Sequence, residues 1–160
     1  MIPVQEYLLN AYRPDREYID GEIQERNLGD LDHSGTQGAL IVALWGLRSQ
    51  GLYTWPEQRV QVSATRYRVP DVTVTIGHPQ QQILTSPPYI VIEVLSPDDT
   101  LVRMMERVLD YEAFGVPNIW VIDPSSQCAY VASNGSLQPM TVLRSQGEPA
   151  VSLDVTQLFE

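Results

Sequence analysis

The sequence predicts one mixed α/β domain of α+β character, residues 1–160, with a central mixed sheet flanked by helices. Three observations carry this. The length of 160 residues is that of one domain, which buries roughly two thirds of its unfolded surface. Asp20-Gly21 lies between two short runs of alternating apolar and polar residues, a hairpin pattern. Two apolar runs, 89–95 and 116–123, flank a helical segment, which makes a strand, helix, strand crossover.

The elements follow in order. Residues 16–26 form the hairpin that enters the sheet. From Asp32 to about Gln50, Leu40, Ile41, Leu44, Trp45 and Leu47 recur at helical spacing. Asp30 or Asp32 is available as cap, and Gly51 stands just past the end. Residues 52–63 and 67–76 read as a strand pair, the second alternating Val72, Val74 and Ile76 with Asp71, Thr73 and Thr75. Gly77 to Pro88, with three glutamines and three prolines, cannot continue a central strand and reads as an exposed, mobile loop. Tyr89 to Leu95 suits a strand buried on both faces. Ser96-Pro97-Asp98-Asp99 has the chemistry of a helix start, and Gly115 ends that helix after Phe114. Beyond the strand 116–123, Asn134-Gly135 joins 127–133 to 136–143 in a meander at the sheet edge.

Composition narrows the function classes. No apolar run approaches the roughly 20 residues that span a bilayer. The N-terminus shows neither a basic start nor an apolar stretch, so a cytoplasmic location is expected. Cys128, the one cysteine, cannot make an internal disulfide, and reads as a small buried side chain in a strand. Trp45, Trp55 and Trp120 read as core. A net charge of −10 opposes attraction to phosphate, so any nucleic-acid contact should be weak and local. All ten cationic residues are arginine. Arginine is a permanently charged donor, whereas lysine can be tuned to release its proton.

Glu93 is the most informative residue. It interrupts the buried strand, on the face of Tyr89, Val91 and Leu95, where an unpaired carboxylate would cost several kcal/mol. A cation, an arginine or a strong donor must compensate it, or its pKa must rise. Asp71, after Pro70, opens the neighbouring strand. Together they offer two hard oxygen donors to one cation, the sparse set by which Mg²⁺ is held while keeping waters. Their carboxylates are expected within reach of one ion, at the sheet end facing the 77–88 loop. On the following helix, Arg103 and Arg107 are four apart and share a face with Thr100 and Tyr111.

Tyr18-Ile-Asp-Gly-Glu22, His33, Val69-Pro-Asp-Val72, Val91-Ile-Glu-Val-Leu-Ser-Pro97 and the Arg107 to Pro124 stretch resemble the Uma-two family, from about residue 5 to 145. That family comprises endonucleases of the PD-(D/E)xK superfamily, and the resemblance implies a restriction-endonuclease-like fold. It assigns Asp71 and Glu93 as metal-binding acids for Mg²⁺ or Mn²⁺, with Glu17 and Glu22 as further acidic contributors and His33 near the site. The superfamily lysine would fall at Leu95. In the Uma-two pattern it comes instead from the helix, at the position that here is Arg107, which suits charge stabilisation and is a poor base.

Two functions follow. The first is a metal-dependent phosphodiesterase acting on DNA, with Asp71, Glu93 and Arg107 as its catalytic residues and Arg103 as an accessory. The second is a non-catalytic binding or regulatory module in which Glu93 and Arg107 form a structural ion pair. A homodimer is expected, since two-fold pairs are the commonest assembly.

Overall fold

The computed structural model of the protein describes residues 1–159. A short helix, α1 (Val4–Leu9), precedes the hairpin of β1 (Arg16–Ile19) and β2 (Glu22–Glu25). Asp20 and Gly21 turn it with φ of +50° and +98°, the left-handed backbone that a two-residue hairpin turn requires. The long helix α2 (Leu31–Trp45) follows, capped by Asp30, whose carboxylate accepts from the His33 N–H. A 3-10 turn, Gly46–Gln50, carries the chain to Gly51.

The strand pair expected over 52–76 is instead four strands in two sheets. β3 (Leu52–Pro56) pairs with β6 (Val72–Ile76), and β4 (Val60–Ser63) with β5 (Arg66–Arg68). The outer pair belongs to a six-stranded sheet, while the inner pair joins β1 and β2 in a four-stranded sheet of order β2-β1-β5-β4. Pro70 explains one break, because it has no N–H to place in a ladder.

The crossover is as expected. β7 (Ile90–Val94) leads through α3 (Leu101–Phe114) to β8 (Asn118–Asp123), parallel to β7. β9 (Cys128–Ser133) and β10 (Ser136–Met140) form the edge hairpin about Asn134-Gly135. The six strands run β10-β9-β8-β7-β6-β3, and every neighbouring pair except β7 and β8 is antiparallel. A ribbon of β11 (Val142–Arg144) and β12 (Ser152–Asp154), with a 3-10 turn at Val155–Leu158, closes the chain.

The six-stranded sheet is covered on both faces. Leu40 and Leu44 of α2 pack with Val72, Val74, Ile90, Ile92, Trp120 and Ile122 on one side. Met104, Val108 and Tyr111 of α3 pack with Val91, Ile119 and Val121 on the other. Alternation along β7 thus sends Ile90, Ile92 and Val94 to α2, and Val91 and Glu93 to α3. Leu95 joins the α3 side as expected, but Tyr89 packs on the α2 side. The α1 segment, which the sequence pattern did not reveal, brings Tyr7 against Tyr18 and Tyr67 in a third cluster.

Several expectations need correction. Helix α3 begins at Leu101 with Thr100 as cap, not at Ser96; the Asp99 carboxylate accepts from Ser96 N–H and Oγ and holds a turn there instead. Trp45 is exposed and Trp55 half-buried, so of the three tryptophans only Trp120 is core. Cys128 is partly exposed at the start of β9. The 77–88 loop is tied back at Leu84, which is buried and exchanges backbone hydrogen bonds with Arg59 and Gln61.

Gly115 ends α3 with φ of +97°, its N–H donating to the carbonyls of Tyr111 and Glu112. An added Cβ would meet only Pro87 Cγ at 3.6 Å. Gly115→Ala therefore strains the backbone without a clash, and should cost about 1 kcal/mol, or roughly 2–4 °C in a thermal melt.

Candidate active site

The break before β6 creates the site. Val72 pairs with Ile92, so one step further along the same antiparallel register sets Asp71 opposite Glu93. Residues directly opposed in this way present side chains on one face, about 5 Å apart at Cβ. Because Asp71 lies beyond the ladder, its groups find other partners. Its carbonyl accepts from Glu57 N–H and from Gln37 Nε2, and its Oδ2 accepts from Val94 N–H at 2.7 Å.

Two elements converge on Asp71 Oδ1. Arg26, just past β2, donates from Nη2 at 2.8 Å and also reaches Glu57 at 3.3 Å. His33, held in the first turn of α2 by the Asp30 cap, brings Nε2 to 3.3 Å. Glu93 is surrounded from α3. Tyr111 donates its hydroxyl to Oε1 at 2.6 Å, and Arg107 Nε stands 3.7 Å from the same oxygen without a hydrogen-bond partner of its own. Arg107 Nη2 donates to Asp99 Oδ1 at 2.9 Å, an oxygen that also accepts from Asn27 Nδ2.

The electrostatics separate the two acids. Burial pushes the Glu93 carboxyl up to about 8, aided by the charges of Asp71 and Glu17 and opposed by Arg107 and Tyr111. Burial also acts to raise Asp71, but the His33 hydrogen bond and the Arg26 charge outweigh it and hold Asp71 below the usual carboxylate range. The Asp71 hydrogen bond in turn raises His33. At neutral pH Asp71 is therefore ionised and Glu93 protonated. The two opposed acids share one negative charge.

Of the residues singled out from sequence, Asp71, Glu93, Arg107, Arg103, His33 and Glu17 line one cleft. Glu17 enters it as half of a buried pair, accepting from Arg68 Nη1 at 2.8 Å and Val69 N–H at 3.1 Å, while Arg68 also grips Asp110. Glu22 is exposed at the turn end of β2 and does not line the cleft, which Gln24 and Glu25 enter from the other end of that strand. Arg103 is exposed and has no ion-pair partner among the described residues. The cleft lies at the opposite end of the β6–β7 pair from the 77–88 loop, contrary to expectation. That loop connects the strands at Ile76 and Ile90, whereas Asp71 and Glu93 occupy their other ends.

Sequence reasoning missed Arg26, Arg68 and Asp99. Nothing local marks Arg26 and Arg68, which act across long separations in the chain, whereas Asp99 meets Arg107 within the same local segment. Tyr111 was legible, four residues from Arg107 on one helix face.

A restriction-endonuclease-like α+β protein is the class that this fold and cleft define. A family model described as "Uma2: Putative restriction endonuclease" matches residues 4–159, and the chain belongs to that family. Among solved structures, the chain resembles a "putative nuclease belonging to DUF820" from Anabaena variabilis, with a TM-score of 0.83 and 23% identity over 99% of this chain and 98% of that one. It also aligns with a DrdV–DNA complex at a TM-score of 0.43 and 19% identity, over 76% of this chain and 10% of that chain. No curated protein matches the chain. None of the helices among the described residues is long and apolar enough to cross a membrane.

Proposed function

We propose that the protein is a cytoplasmic Mg²⁺- or Mn²⁺-dependent endonuclease hydrolysing phosphodiester bonds in DNA, and that it works as a homodimer. One observation carries the reading. Asp71, one residue before β6, continues the β6–β7 register opposite Glu93 of β7, and the two buried acids line one cleft. Like-charge repulsion between buried acids is what a divalent cation relieves. Their oxygens fit a sparsely held hard cation that keeps several waters. A closed cage is not available, since no group of three or more His, Cys, Asp or Glu poised to hold a metal occurs among the described residues. Asp71 and Glu93 would hold the ion, Arg26 yielding Oδ1. Bound there, the cation would supply Lewis-acid charge to the phosphate and lower the pKa of water.

The chain's own residues divide the remaining work. Arg107, anchored by Asp99, presents a guanidinium beside Glu93 that can pair with a phosphate oxygen and stabilise transition-state charge. Arg103, exposed on the same helix face, adds a second cationic contact. His33 and Val94 N–H fix the rotamer of Asp71. Tyr111 holds Glu93 through its hydroxyl. Six carboxylates line the cleft beside four arginines, which supports weak, locally anchored binding of DNA. The single cysteine suits a reducing compartment.

A second reading has an observation of its own. Glu93 and Arg107 stand at ion-pair distance, the contact expected of a non-catalytic module. Calorimetric titration with Mn²⁺ separates the two. Asp71→Asn should weaken binding at least about tenfold, as for loss of one charged ligand. A parent protein that takes up no Mn²⁺ at millimolar concentration, and cleaves no DNA with it, would leave the module reading standing.

A further inference from the structure

Helix α2 has two apolar faces, and the fold uses one. His33, Thr36, Leu40 and Leu44 are buried. On the opposite side Leu31, Val42 and Trp45 are 87%, 78% and 49% exposed, and Leu28, just ahead of the helix, is 72% exposed. Positions 31, 35, 38, 42 and 45 form one stripe along a 3.6-residue helix. A Cβ built at Gly35 or Gly38 would meet nothing within 4 Å, so the stripe is a shallow groove between large apolar side chains. A solvated helix face ordinarily carries charge. Here no Asp, Glu, Lys or Arg occurs between His33 and Leu47.

The stripe is also self-complementary. About the midpoint between Gly35 and Gly38, Leu31 is the counterpart of Val42, and Leu28 that of Trp45. Two copies of α2 laid antiparallel across a two-fold axis therefore set glycine against glycine at the centre and large apolar groups against each other on both sides. The glycines permit close approach of axes that ordinarily pack 8–10 Å apart. The face is also free of the charge that would oppose such a pair. Two copies carrying −10 each repel over most of their surface, and this uncharged face lets them meet without opposing like charges. Antiparallel helix dipoles also align favourably.

We propose that α2 pairs antiparallel with α2 of a second copy of this chain about Gly35 and Gly38. This deepens the homodimer proposed above and depends on it. Sedimentation equilibrium on the parent and on Val42→Asp gives the first test. Val42 is exposed, so the variant should fold as the parent does by circular dichroism. It should dissociate more readily by a factor on the order of 10², because each half of the interface would bury an unpaired carboxylate. Register is tested in a Cys128→Ser background by Leu31→Cys with Val42→Cys. These two positions are too far apart along one helix to join, so oxidation should yield a covalent dimer, and neither single cysteine should do so efficiently. A dimer that survives Val42→Asp, or a double-cysteine variant that does not cross-link, would overturn this surface while leaving dimerisation intact. A parent that stays monomeric at high concentration would overturn both.

Discussion

Between pH 5 and pH 8 the metal-free protein should lose stability on the order of 3–5 kcal/mol, and Glu93→Gln should abolish most of that loss. The Glu93 carboxyl moves from an ordinary 4.5 to about 8 on folding, chiefly because burial penalises its charge. Across that window the folded protein holds a proton that the unfolded chain has released. Stability must therefore fall as pH rises, at up to about 1.4 kcal/mol per pH unit, and level off above pH 8. His33 acts in the same sense, since its raised pKa gives stability that is lost as pH climbs through it. Asp71 acts oppositely, but only below the usual carboxylate range. For a chain of this size the loss corresponds to roughly 10 °C in melting temperature. Chelator-treated protein melted from pH 5 to 9 provides the measurement. A flat profile in the parent, or one unchanged in Glu93→Gln, would mean that Glu93 is not held protonated.

On the proposed reading, Arg107→Ala should lower the single-turnover rate of DNA cleavage by a factor on the order of 10² to 10³, the effect of losing one preorganised electrostatic contact. The side chain is mostly buried, tied to Asp99 at one nitrogen, and leaves Nε unpartnered beside Glu93. Its removal also takes away the nearest positive charge acting on Glu93, which should push that carboxyl still higher. Arg107→Lys should recover much of the loss, since an ammonium restores the charge near Glu93 and, unlike guanidinium, can surrender a proton. An alanine variant that folds normally and cleaves at the parent rate would remove Arg107 from the chemistry.

The sequence by itself determined the local devices. Asp20-Gly21, the Asp30 cap and Gly115 set turns and helix ends that depend only on neighbouring residues. The continuous apolar run at 89–95 determined a strand buried on both faces, and with it the anomaly of Glu93. Arg107 and Tyr111 were placed together by helical spacing alone.

What only the tertiary structure decided was everything set by long-range pairing. The 52–76 region holds four strands nested in two sheets, because which strand partners which is chosen by burial across the whole sheet. That pairing puts the cleft at the far end of β6 and β7 from the 77–88 loop, and leaves Glu22 outside it at the turn end of β2. Arg26 and Arg68 meet their acids 45 and 51 residues away, through side chains whose reach no sequence pattern encodes. The same holds for the protonation of Glu93. It follows from the burial of two opposed carboxylates beside too few positive charges, and such a balance exists only once the strands are paired.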